Sequence, residues 1–171
     1  MERGRRRFLA ALGIGGLAGC LGTDKTVTPS TGWTEAVLEN VRTGEKFTIG
    51  GFDQPTFVHT FATWCSTCNR QQHEFATLRN QTAEIAVVDL TIEPEEDGPT
   101  IRHHATQWGF DWIFAVATEP VIAALIEDFG QSIASPPQSP VILLCQDGTA
   151  STRSKVRGAD GLADDLRNHC A

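Results

Sequence analysis

"FATWCSTCNRQ", Phe61 to Gln71, sets two cysteines three positions apart, with a tryptophan in front and a polar run behind. Just ahead, "TFVHTFAT" (Thr56 to Thr63) is apolar and rich in β-formers, which reads as a buried strand. Behind, Ser66 to Gln81 lacks glycine and proline and puts Phe75 and Leu78 on one face, which predicts a helix. Cys65 therefore closes a strand and opens a helix. A helix start presents unpaired N–H groups and the positive end of the helix dipole. Both favour a thiolate, drawing a cysteine from ~8.5 toward ~7 or below. Cys68 lies one turn further in, placed to attack a mixed disulfide formed at Cys65. The pattern predicts Cys65 as nucleophile and Cys68 as resolving thiol.

Three other uses of the pair compete. Structural zinc needs two more ligands, usually from a second close pair. Cys145 and Cys170 stand far apart and form none. A purely structural disulfide across so short a loop adds little chain-entropy stabilisation. Copper(I), a soft ion that prefers thiolates, gives the alternative function: a chaperone holding the ion with Cys65, Cys68 and a histidine.

Outward from this stretch, strands and helices alternate. "WTEAVLENVRTGEKFTIGGF" reads as two short strands around Thr43-Gly44. "EIAVVDLTI" is a second buried strand, "TIRHHATQW" a helix with Ile101, Ala105 and Trp108 on one stripe, and "DWIFAVAT" a short strand. Pro120 suits the first turn of the helix in "EPVIAALIEDFG", and Gly130 the position past its end. "PVILLC" and "STRSKVRG" flank an Asp147-Gly148 turn, and "ADGLADDLRNHC" closes with a helix. The order ββ–βαβαβα–ββα predicts an α/β sandwich with a mixed central sheet, helices on both faces and an added N-terminal β-hairpin. Trp33, Trp112 and Trp108 read as core or strand-edge aromatics, and His73, His103 and His104 as solvated helix faces. Asn80-Gln81-Thr82 matches the N-glycosylation acceptor.

"TFVHTFATWCSTC" resembles the active-site segment of the thioredoxin fold, and "SPVILLCQDGT" (Ser139 to Thr149) resembles that family's later segment. "VLENVRTGEKFTIGGF" is similar to the leading strands of its extracytoplasmic, membrane-anchored TlpA-like branch. The resemblance spans about Trp33 to His169. It implies a thiol–disulfide oxidoreductase without a cofactor or bound metal, acting on protein thiols or disulfides and exchanging electrons with a membrane or extracytoplasmic redox partner. It implies that Pro140 is a cis-proline facing the disulfide, holding Ser139 extended so that its backbone pairs with a substrate strand, with Trp64 as a lid on the substrate side. Two positions depart from the family. His59 stands where relatives often carry a buried aspartate or asparagine, and Gln71 where the branch often has glutamate. Strand alternation sets His59 beside Phe57 and Phe61, either as a proton handler for Cys68 or as a hydrogen-bonded core histidine. Ser66-Thr67 carries neither the histidine of strong oxidants nor the Gly-Pro of typical reductants. The Pro-x-x-x-Thr-x-x-Cys context of thioredoxin-fold peroxidases is absent.

The N-terminus reads as an address. "RRRFLAALGIGGLAGC" has a basic head, an apolar run shorter than the ~20 residues a membrane span needs, and a small-residue end, as in a signal peptide. Arg5-Arg6 resembles the twin-arginine export motif, and "LAGC" resembles a lipobox with Cys20 as the lipidated residue. The domains expected are a signal peptide over 1–19, a lipidated linker over 20–32 and a thioredoxin-like domain over 33–171, lipid-anchored outside the cytoplasm. Removing 1–19 takes four of the 14 basic residues and one of the 21 acidic ones, which leaves a net charge of −10. Such a surface repels nucleic acid and anionic lipid, and it resembles that of halophile proteins, where twin-arginine lipoproteins are also found. With Cys20 lipidated and Cys65–Cys68 paired, Cys145 and Cys170 either form a second bridge or remain a buried thiol and a free terminal one.

Overall fold

The computed structural model describes residues 25–170. Strand β1 is Thr26–Val27 and helix α1 the single turn Thr31–Thr34; β2 (Leu38–Glu39) and β3 (Lys46–Phe47) form a small hairpin. Then come β4 (Thr56–Phe61), α2 (Ser66–Gln81), β5 (Ala86–Thr91), α3 (Gly98–Trp108), β6 (Ile113–Val116), α4 (Glu119–Phe129), β7 (Val141–Leu144), β8 (Ala150–Arg153) and α5 (Ala159–His169). Six strands make one sheet in the order β1-β8-β7-β4-β5-β6. β4, β5 and β6 run parallel, while β7 and β8 run antiparallel to their neighbours. The expected α/β class, mixed sheet and helices on both faces are all present.

The central strands are buried on both faces, so they read as continuous apolar runs. Phe57 and Phe61 of β4 pack into a cluster with Phe75 and Leu78 of α2, Ile101 and Ala105 of α3, and Leu162 of α5. Val58, Val88 and Leu90 face the other way, against Val121 and Leu125 of α4. Gly130 ends α4 at φ 90°, a conformation open to glycine, and Pro120 lies in its first turn.

The domain begins earlier than expected. Thr26 and Val27 pair with Ser151 and Ala150 of β8, and Ser30 N–H donates to Asp128 Oδ2 at 2.8 Å. Residues 25–32 are therefore part of the fold and not of a free linker. Trp33 lies in α1, fully buried, its indole N–H on the same Asp128 oxygen at 2.7 Å. A strand at Trp33 was the expectation; the hydrogen bond to α4 and the burial of the ring go with a helical turn instead. The signal segment, Cys20 and the first part of the linker lie outside the described residues. Among the described residues, no helix is long and apolar enough to cross a membrane.

Candidate active site

Strand β4, inside the sheet, delivers the chain to one rim, and α2 carries it back. Cys65 falls at the junction as the N-cap of α2, in extended conformation, its sulfur accepting the Cys68 N–H at 3.1 Å. That bond satisfies one of the orphan donors at the helix start. Cys65 and Cys68 are joined, with Cα atoms 5.2 Å apart. Cys65 retains 3% of its surface and Cys68 none, so Cys65 is the less buried of the two. Trp64, next to the bridge in the chain, is 62% exposed. Glu96, in the β5–α3 loop, fixes this corner. One of its oxygens accepts Thr63 N–H (2.7 Å) and Thr63 O–H (2.5 Å), and the other accepts Thr91 O–H (2.5 Å).

His59 is buried and carries a partner the sequence reading missed. β4 and β5 pair His59 with Asp89, and His59 Nδ1 lies 2.5 Å from Asp89 Oδ1. The other Asp89 oxygen accepts Trp112 Nε1–H (2.7 Å) and Gln72 Nε2–H (3.2 Å). Gln72 Oε1 accepts from His104 Nε2 at 2.9 Å. Burial, reinforced by the Lys155 charge, pushes His59 below its usual 6.5, against the pull of Asp89. A neutral His59 donates Nδ1–H to Asp89, and among the described residues its Nε2 has no hydrogen-bond partner. The carboxylate beside the active-site strand is thus supplied by the neighbouring strand β5. An aspartate inside the apolar run "AVVDLT" was the available signal.

Lys155 was also missed. It follows β8 and reaches back under the bridge. Its Nζ donates to Pro136 O (2.6 Å), Ser139 Oγ (2.8 Å), Thr60 O (3.1 Å) and Cys68 Sγ (3.5 Å). Its segment "STRSKVRG" is polar and gives no periodicity, so nothing local marks the amine as buried.

Other expectations are corrected. Pro140 is not cis; Lys155–Val156 is the only cis bond among the described residues. The Ser135–Ser139 turn, closed by Ser139 N–H on Ser135 O at 2.8 Å, already feeds the chain into β7. A trans proline suits the position just before the strand because it has no N–H to pair. Ser139 is fully buried with its N–H engaged, so that N–H is not offered to a substrate strand. Its hydroxyl lies between Thr60 O (3.0 Å) and Pro136 O (3.1 Å). His104 is buried, not solvated, because Ile101, His104 and Ala105 share the inward face of α3. Trp108, assigned to that stripe, is 44% exposed. His73 and His103 are exposed, as is Asn80 in the last turn of α2. Gln71 is buried and grips the Arg157 backbone, accepting its N–H at 2.7 Å and donating to its carbonyl at 3.0 Å. Cys145 and Cys170 form a second bridge, with Cα atoms 5.1 Å apart. Among the described residues no three His, Cys, Asp or Glu side chains gather to hold a metal ion.

No family model matches the sequence, and no curated protein matches it. Solved structures do. A thiol:disulfide interchange protein of the thioredoxin family from Chlorobium tepidum is 17% identical, with TM-score 0.66 over 78% of this chain and 91% of that one. A secreted Mycobacterium tuberculosis disulfide oxidoreductase homologous to E. coli DsbE is 12% identical, with TM-score 0.62 over 81% and 99%. BsSco, of the Sco family of cytochrome c oxidase assembly proteins, is 12% identical, with TM-score 0.62 over 78% and 90%. At these identities the likeness establishes a thioredoxin-like fold.

Proposed function

We propose that this chain is a thiol–disulfide oxidoreductase that works outside the cytoplasm, tethered by a lipid on Cys20. It exchanges the Cys65–Cys68 bond with cysteines of partner proteins and needs no organic cofactor. The observation that carries the reading is the bonded pair at the start of α2, with Cys65 as helix cap beside an exposed Trp64. In the reducing direction, the Cys65 thiolate attacks a partner disulfide and releases one partner thiolate. Cys68 then attacks Cys65 Sγ, re-forms the internal bond and releases the second. The oxidising direction is the reverse. The extracytoplasmic placement is supported by the signal-like N-terminus and by the second bridge, since disulfides persist in oxidising compartments.

Replacing Cys68 by Ser removes the resolving thiol, so partner proteins should accumulate as mixed disulfides on Cys65, visible as reductant-sensitive bands on a non-reducing gel. Adducts on Cys65→Ser and none on Cys68→Ser would reverse the roles; adducts on neither would sink the reading. Cys20→Ser should move the protein from membrane to soluble fraction, and unchanged partitioning would remove the lipid tether.

A further inference from the structure

Lys155 Nζ lies 3.5 Å from Cys68 Sγ, and its other contacts are three oxygens: Pro136 O, Ser139 Oγ and Thr60 O. Those oxygens hold the amine in one place, with the sulfur of the resolving cysteine as the remaining neighbour. Lysine side chains are seldom buried without a carboxylate partner, and among the described residues no carboxylate bonds the amine. Among the described residues, the elements packed around it supply few other charges. His59 and Asp89 come from β4 and β5, and Cys65 and Cys68 from α2. On its own segment, Arg153 and Arg157 both turn to Asp165 of α5, at 3.2 and 3.0 Å.

We infer that Lys155 is a catalytic residue that exchanges a proton with Cys68 during resolution of the mixed disulfide. This deepens the oxidoreductase reading and rests on it for the identity of the resolving thiol. The Cys68 S–H gives its proton to the neutral amine. The thiolate electron pair forms the Cys65–Cys68 bond, and the bond between Cys65 and the partner sulfur breaks. The partner sulfur leaves with that pair and takes a proton from the Lys155 ammonium or from water. The two enzyme cysteines lose two electrons and the partner disulfide gains them. In the oxidising direction each transfer reverses. Burial draws the Lys155 amine from 10.5 to about 7, with Asp89 opposing, which leaves it able to hold or release a proton near neutral pH.

The test separates this pair from the parent reading. In Cys65→Ser only Cys68 remains at the site, and its ionisation is read by ultraviolet thiolate absorbance against pH, with no partner protein involved. Adding Lys155→Met should delay the thiolate by about one to three pH units. In the chain with both cysteines, Lys155→Met should slow release of glutathione from the Cys65 mixed disulfide by ~10²-fold or more, with the first attack within a few-fold of the parent. Because a buried substitution can disturb folding, lysine ¹³Cε resonances of the unsubstituted protein provide a second readout. The Lys155 titration should shift between the oxidised and reduced protein. Identical Cys68 titrations with and without Lys155, or a Lys155 resonance that titrates alike in both redox states, would overturn the assignment. A positive titration with no partner adducts on Cys68→Ser would instead retain the thiol–amine pair and reject the oxidoreductase reading.

Discussion

Replacing Lys155 by Met should make the oxidised protein more stable at neutral pH and remove much of its alkaline pH dependence. Burial lowers the Lys155 amine from 10.5 to about 7, so between those values the unfolded chain binds a proton that the folded one does not. Unfolding free energy must then rise with pH across that window. The cost is fully present below about pH 7 and is gone above about 10.5. The 3.5-unit interval is worth about 5 kcal/mol in all, of which about 3–4 kcal/mol falls between pH 7 and 10. The chain has no tyrosine and only three lysines, and its bonded cysteines do not titrate, so the alkaline range is unusually free of other groups. Lys25 and Lys46 remain in both proteins and cancel in the difference. Urea denaturation of parent and Lys155→Met, oxidised, from pH 7 to 10, reads the effect as a difference in midpoint at constant slope. The stability advantage of the variant should shrink by about 3–4 kcal/mol over that range. A difference that changes by less than about 1 kcal/mol would mean that the amine is solvated like a surface lysine, and the buried geometry would be refuted.

The Cys145–Cys170 bridge closes a 25-residue separation, so replacing both cysteines by Ala should cost about 3.5 kcal/mol in urea unfolding with Cys65–Cys68 still oxidised; a loss under about 1 kcal/mol would deny the bridge a stabilising part. His59 and His104 are both held below 6.5, first by burial, so their folded-state preference for the neutral ring gives stability present above pH 6.5 and lost as the pH falls below it. The urea midpoint should drop on acidification from pH 7 to 5, with a shallower drop in His104→Gln; equal slopes would place that ring in solvent.

The site was legible where it is local. A β-rich run, a cysteine at its end and a breaker-free segment behind fix β4, the cap and α2, whose bounds Ser66 and Gln81 match those expected. Pro120 and Gly130 mark α4 for the same reason. What escaped depends on strand register and chain crossing. Asp89 meets His59 only because β5 pairs with β4 in that register. Lys155 reaches Cys68 only because the segment after β8 passes under the Pro136 turn. His104 was legible in principle, being three residues past Ile101 and next to Ala105 on the inward face, but histidine was weighed by type and not by its place in the period. Pro140 was assigned by family likeness, and likeness does not fix an isomer.

Strand direction has one more consequence. Cys65 follows the end of β4, and Cys145 follows the end of β7, which runs antiparallel to β4 with Leu144 opposite Thr56. The two sulfur pairs therefore occupy opposite rims of the sheet, about 20 Å apart along a six-residue strand. Under the proposed function, a protein seated against Trp64 leaves the other rim bare. There Gln146, Asp147 and His169 line a groove along the second bridge. On the proposed function the molecule has a trading end and a holding end: covalent traffic at one can proceed while the tie at the other keeps α5 fastened to the sheet.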